Sequence, residues 1–224
     1  MSSKETQSPG VLSWIADLQE ESSRPSTSRD ITRSILTKEF DSILYGPIVD
    51  YSFRNLETLS DCVKLTPRSG FRPNQYTEDK KLKSCSLRLS HNQLCEMTGL
   101  NQLIPALLVE PERLFWIDLS FNIFPSIDPV LLKFTKLQIL NIHANQISEL
   151  FEVDKLVSLN RLRSLTLHGN PMEQTKGYRS YVVEVIPQLK SLDYSLITKQ
   201  DRSTAAVLKK FIKRKHVARR KYDD

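Results

Sequence analysis

The chain has 224 residues, 39 % hydrophobic and 26 % charged, enough for one domain with extensions or two small ones. The apolar run "LIPALLV" (103–109) is far short of the roughly 18 residues of a membrane span, and the start "MSSKETQSPG" lacks the basic and then apolar pattern of a secretory signal. The net charge of +6 is uneven: residues 199–224 hold ten Lys/Arg against three Asp/Glu and the remainder 22 against 23, so an acidic partner is expected for the tail and not for the whole chain. Cys62, Cys85 and Cys95 show no CxxC spacing, and free thiols in a reducing, cytoplasmic setting are the simplest expectation.

In chain order, Val11, Trp14, Ile15 and Leu18 fall at i, i+3, i+4 and i+7 behind Pro9. They predict a short amphipathic helix that is not stable alone. "SSRPSTSRD" (22–30) is a linker by composition, and "DITRSILTKEFDSIL" (30–44) is a second amphipathic stretch. Each either covers the chain's own body or docks in a partner's groove. "IVDYSFRNLETLSDCV" (48–63) then predicts a first strand and turn.

Four segments follow in one frame: "SCSLRLSHNQL" (84–94), "LFWIDLSFNIF" (114–124), "LQILNIHANQI" (137–147) and "LRSLTLHGNPM" (162–172). Each fits LxxLxLxxNxL, with Ser84 the one poor first position, and this is the signature of a leucine-rich repeat. The central LxL is a short strand whose alternate side chains point inward: Leu87/Leu89, Ile117/Leu119, Leu140/Ile142 and Leu165/Leu167. The expected fold class is α/β: a solenoid with a short curved parallel sheet, capped at both ends, with flexible or partner-ordered N- and C-terminal extensions. The turn after each strand leaves backbone groups that an Asn amide satisfies by donating and accepting. Asn92, Asn122, Asn145 and Asn170 are therefore a structural ladder; Gly169 relaxes its turn and Pro171 leaves it.

The return segments run along the convex side. "MTGLNQLIPALLVEPERL" (97–114) predicts a helix that ends near Glu110-Pro111, and Ile147, Leu150, Val153, Leu156, Leu159 and Leu162 suit 3₁₀ or helical turns. In the C-terminal cap, Tyr178, Tyr181, Val182, Val185 and Ile186 form one helix face, Pro187 stops it, and Leu189 and Leu192 give a last strand. Thr198-x-x-Asp201 has the form of a capping box for a further helix. The organisation expected is an extension at 1–47, a capped repeat domain at 48–200 and a basic helix or tail at 201–224.

The outward side chains of the strands are the candidate partner-binding surface. Successive rows read Ser86, Trp116, Ile139, Ser164; Arg88, Asp118, Asn141, Thr166; and Ser90, Ser120, His143, His168. Trp116 and Ile139 are expected as adjacent apolar anchors, covered either by a partner or by the chain's own extension. Phe121, beside its Asn, is expected to stack along the edge as core. His143 and His168 are row neighbours, but the row offers no third ligand, so no metal is expected. His168 is expected to support nothing buried. The six glycines form no phosphate-binding loop and no GxSxG or HExxH occurs, so no catalysis and no cofactor are expected. In the tail, Leu208, Phe211 and Ile212 face one side amid Lys209, Lys210, Lys213, Arg214 and Lys215, followed by Arg219, Arg220 and Lys221. This is a candidate polyanion-binding segment; with only Phe211 and Tyr222 as stacking aromatics, nucleic acid is disfavoured.

These residues carry a family resemblance. "HGNPMEQTKGYRSYVVEVIPQLKSLD" is similar to the cap of short cytosolic leucine-rich-repeat proteins, a group that includes a phosphatase-1 regulatory subunit, an axonemal dynein light chain, a spliceosomal protein and an mRNA-export factor. More closely, "DYSFR" (50–54), "FRP" (71–73), "WIDLSFN" (116–122), "SIDPVL" (126–131) and "LRSLTLHGNPM" (162–172) resemble the leucine-rich repeat-containing protein 51 family. The resemblance implies a non-enzymatic cytosolic interaction protein with proteins as partners. It leans toward cilia and flagella, where tubulin or axonemal proteins would be met through the concave face and tail. The alternative it leaves open is an adaptor subunit of a ribonucleoprotein or of a phosphatase or signalling complex.

Overall fold

The computed structural model describes residues 46–68, 70 and 73–207. The expected N-terminal helices and the tail residues Lys209, Lys210, Lys213, Arg214, Lys215, Arg219, Arg220 and Lys221 lie outside the described residues.

Seven strands form one sheet in sequence order: β1 (Val49–Asp50), β2 (Ser86–Arg88), β3 (Trp116–Asp118), β4 (Ile139–Asn141), β5 (Ser164–Thr166), β6 (Ser191–Leu192) and β7 (Ser195–Leu196). The first six are parallel; β7 turns back antiparallel on β6. The register aligns Val49, Leu87, Ile117, Leu140, Leu165 and Leu192 in one row, and every one of them is fully buried. Leu89, Leu119, Ile142 and Leu167 make the second buried row. Full burial of each such side chain contributes about 1.5–3 kcal/mol, so the period of the leucines sets the register.

The convex side follows the expected pattern. Helix α1 (Leu100–Leu107) buries Leu100, Leu103, Ile104 and Leu107 and closes at Leu108, just ahead of Glu110-Pro111. The other returns are 3₁₀ segments, including Pro129–Lys133 and Leu150–Leu156. Asp128 caps the former by accepting from the Val130 N–H at 2.7 Å, with Pro129 at the first position, where no N–H is needed. Glu152 links neighbouring returns: its carboxylate accepts from the Ile127 N–H and from Lys155, both at 2.7 Å. Ile147, Val153, Leu156, Leu159 and Leu162 are buried, with Leu150 packed at the margin.

At the C-terminal end, α2 (Tyr178–Val185) covers the open core with Tyr178, Val182 and Val183, and Ile186 follows at its end. Of the expected face, Tyr178, Val182 and Ile186 are buried and Val185 packs at the margin, Val183 is added, and Tyr181 is half-buried with its hydroxyl donating to Asp154 Oδ1 at 2.7 Å. A further helix, α3, begins at 199 and runs to 207, the last described residue. Its capping box is formed: the Thr198 N–H donates to Asp201 Oδ2 at 2.8 Å, and the Asp201 N–H donates to Thr198 Oγ1 at 3.1 Å. Arg179 Nε donates to Asp201 Oδ1 at 2.8 Å, Arg202 donates to the Val183 and Leu189 carbonyls, and Ala205 is buried in the core. The start of the basic segment is thus packed on the cap. Among the described residues no helix is long and apolar enough to cross a membrane.

Candidate protein-interaction surface

The four ladder asparagines sit where the strands end. Asn122 Nδ2 donates to the carbonyls of Leu89, Leu119 and Ser120 at 3.0–3.2 Å, and its Oδ1 accepts from the Leu94 N–H at 3.1 Å. Asn145 repeats this one repeat on, with Leu119, Ile142, His143 and the Phe124 N–H. Asn170 binds Ile142, Leu167 and the Ile147 N–H. Asn92 reaches back to β1 through the Tyr51 carbonyl and the Arg54 and Leu56 N–H groups. Each amide therefore satisfies its own turn and staples it to the preceding repeat. A buried backbone group left unpaired would cost about 1–3 kcal/mol. This fixes the rigid frame on which the surface side chains stand.

The residue before each asparagine has a left-handed backbone: His91 (φ 57°), Phe121 (52°), Ala144 (53°) and Gly169 (70°), with Phe53 (56°) in the equivalent place after β1. Gly169 is required twice over, since a Cβ there would also lie 3.2 Å from the Ala144 Cα. A bulky residue at positive φ costs roughly 1–2 kcal/mol. Phe53, His91 and Phe121 offset this by stacking: ring centroids are 4.1 Å apart for Phe53 and His91 and 4.2 Å for His91 and Phe121, with the planes near parallel. The Phe121 ring then meets His143 edge to face at 5.2 Å, His143 stacks on His168 at 4.5 Å, and Tyr194 closes the series against both. Six rings thus run along the turn edge of the sheet. Phe121 stacks as expected, but it is 43 % exposed and is surface, not core. Phe53, His91 and Tyr194 were not singled out by sequence. The signal was the column one place before the asparagines, which reads Phe53, His91, Phe121, Ala144, Gly169.

The outward rows stand in the expected register: Ser86, Trp116, Ile139 and Ser164 are paired neighbours. Trp116 and Ile139 are adjacent on paired strands, as expected, and only 5 % and 6 % exposed, so they are covered within the chain rather than standing open. The Arg88 guanidinium lies 5.3 Å over the indole, and Trp116 and Ile139 are register partners on β3 and β4. Arg88 also bridges Asp50 at 3.4 Å and Asp118 at 3.7 Å. Asp118 is buried, and burial pushes its carboxyl above the usual carboxylate range although Ser120 donates to it from N–H and hydroxyl. Asn141 and Thr166 are buried as well, and Thr166 Oγ1 lies 2.8 Å from His143 Nδ1.

His143 and His168 are neighbours, as the row implies. Their rings lie flat on each other, an arrangement for stacking and not for converging lone pairs. Among the described residues no group of three His, Cys, Asp or Glu side chains could hold a metal ion. Burial, with the neighbouring His168, pulls the His143 pKa down to about 4. Burial likewise lowers that of His91, whose Nδ1 is buried with no partner among the described residues. Both rings are neutral at neutral pH. The expectation that His168 supports nothing buried is corrected too. Its Nδ1 lies 3.3 Å from Asp193 Oδ1, and Asp193 also accepts from the Leu167 and His168 N–H groups and from the Tyr178 hydroxyl. The His168 ring therefore joins the last repeat to the cap. Among the described residues, Cys62 and Cys85 are buried free thiols and Cys95 an exposed one.

A family model described as Leucine-rich repeat matches residues 85–221. Leucine-rich repeat-containing protein 51 of Homo sapiens is 49 % identical over 164 residues, which cover 73 % of this chain and 85 % of that protein. The Rattus norvegicus protein of the same name is 48 % identical with the same shares covered. Among solved structures, a chain of the Drosophila melanogaster SNF/U2A' complex is 21 % identical, with a TM-score of 0.40 over 59 % of this chain and 84 % of that one. The repeat register, the matched family model and the identity across most of the relatives' length agree: the chain belongs to the leucine-rich repeat-containing protein 51 family and is a non-enzymatic protein-interaction module.

Proposed function

We propose that the protein is an adaptor subunit that holds partner proteins against the strand face and turn edge of its sheet. The observation that carries this reading is the stapled frame. The four asparagines satisfy the turns internally, so the side chains of the edge stand on a rigid, preorganised surface. A ribonucleoprotein assembly or a phosphatase or signalling complex is the setting we place first.

A microtubule-bound axonemal role is the second reading, supported by one separate observation. Residues 199–224 carry +7 on a body of −1, so the tail suits the acidic microtubule surface. Attraction of this kind decays over about 8 Å at physiological salt and weakens as salt rises.

Capture of the tagged full-length chain from cells, with and without nuclease, tests the adaptor reading. A stoichiometric protein partner that survives nuclease supports it, and the absence of any retained protein overturns it. Co-sedimentation with microtubules, intact and stripped of their acidic tails, tests the second reading. Loss of pelleting on truncation at residue 207 supports it, and equal pelleting of full-length and truncated protein removes the tail from the mechanism.

A further inference from the structure

We propose that the exposed rim of the Phe53–His91–Phe121 stack, with Arg54 and Arg68 beside it, is a docking site for an acidic peptide segment of a partner protein; this deepens the adaptor reading and rests on it.

The surface is apolar and open. Phe53 is 60 % exposed, Phe121 is 43 % exposed, and exposed Ile123 lies two residues beyond. Stacking offsets the strain of the positive φ, but it leaves the rims of Phe53 and Phe121 in water. At the same backbone position the next two repeats use Ala144 and Gly169, so the turn itself does not require aromatic residues. Within this column the aromatic residues at positive φ are Phe53, His91 and Phe121; among the described residues Tyr194 (φ 59°), in the turn after β6, is a further aromatic with this backbone.

The chemistry of the occupant follows from what the rings leave free. Most of the ring faces are taken: His91 is covered on both sides, the Arg68 guanidinium lies over the Phe53 ring 5.8 Å from its centroid, and Phe121 stacks on His91 and meets His143 edge to face. What remains is mainly ring edge, which carries the positive end of the aromatic quadrupole and attracts oxygen acceptors. Of the charges beside it, Asp50 and Asp118 are bridged by Arg88, which leaves the exposed cations to face a partner. Arg54 and Arg68 are exposed and donate to the backbone carbonyls of Thr66 and Ser52, and neither is paired with a carboxylate among the described residues. Positive ring edges and two open guanidiniums complement carboxylates interleaved with apolar side chains. Nucleic acid fits less well, because a base needs a free aromatic face to stack on.

The probe is a short fluorescein-labelled peptide of alternating Glu and Leu, read by anisotropy against the full-length chain. Its Lys/Leu counterpart and a labelled oligouridylate are run beside it. The basic tail also attracts acidic peptides, so all variants are made in the full chain, where its share is constant. Lys213→Glu/Arg214→Glu serves as the tail control. Phe53→Ala/Phe121→Ala keeps a backbone that Ala144 already adopts at φ 53°, and circular dichroism checks its fold. This variant and Arg54→Gln/Arg68→Gln should each weaken the Glu/Leu peptide by about tenfold or more. The Lys/Leu peptide should show no variant-dependent binding. Unchanged Glu/Leu affinity in both variants overturns the proposal, as does oligouridylate binding that is lost with the two phenylalanines. If cellular partners are retained equally by Phe53→Ala/Phe121→Ala, the site falls while the adaptor reading stands. If the probe binds as expected but no protein is retained from cells, the adaptor reading falls and the site's chemistry stands.

Discussion

Two adjacent columns of the same turn edge behave in opposite ways. The asparagine column has one residue type in four repeats, is buried, and both donates and accepts hydrogen bonds inside the fold. The column one residue earlier reads Phe53, His91, Phe121, Ala144, Gly169; it shares one left-handed backbone but not one side chain, and its rings stand at the surface. The backbone demands a conformation of the second column and a specific chemistry of the first. Where only a conformation is demanded, the side chain is left for other uses.

Breaking the first column should have the largest effect. Asn145→Ala removes donors to Leu119, Ile142 and His143 and the acceptor for the Phe124 N–H in mid-sheet, and should destabilise by about 2–4 kcal/mol in urea denaturation. A loss below about 1 kcal/mol would mean that water or neighbouring groups replace the amide.

The neutral imidazoles sharpen the contrast. His143 has its pKa pulled from 6.5 to about 4 by burial, so the unfolded chain takes up the proton first. Its contribution is full above about pH 6.5 and is lost as pH falls toward about 4, with roughly 2 kcal/mol gone by pH 5. Denaturation of the native chain and of His143→Gln at pH 7 and pH 5 measures this. The variant should lose most of the difference, and an unchanged difference would mean the ring is not desolvated.

Gly169→Ala probes the conformational column directly. With φ at 70° and a new Cβ 3.2 Å from Ala144 Cα, it should cost about 1–2 kcal/mol, read as a lower melting temperature. A neutral result would show that the turn relaxes.

The same contrast explains what was legible in the sequence. The buried rows, the asparagines, the cap face and the capping box were readable because each is periodic or local: Leu87, Ile117, Leu140 and Leu165 repeat one template, and Thr198 and Asp201 are three residues apart. The surface was harder. Trp116 and Ile139 had the right parity, but parity does not say that Arg88, bridged to Asp50 and Asp118, lies over the indole. His168 reads in its row as a polar residue that supports nothing buried, because its partners Asp193 and Tyr194 come from the cap, in a turn the repeat template does not describe. The ring series crosses from one column to the next between Phe121 and His143, so no single sequence period contains it.

The most direct measurement compares the two columns within one turn. Asn122→Ala and Phe121→Ala are made separately in the full chain and unfolded in urea. Asn122 serves three carbonyls and the Leu94 N–H, whereas Phe121 is 43 % exposed and its alanine replacement is what the next repeat carries. The expected result is a loss of about 2–4 kcal/mol for Asn122→Ala and of no more than about 1 kcal/mol for Phe121→Ala. Equal losses, or a larger loss at Phe121, would contradict the division of the edge into a column that holds the fold and a column that is free to bind.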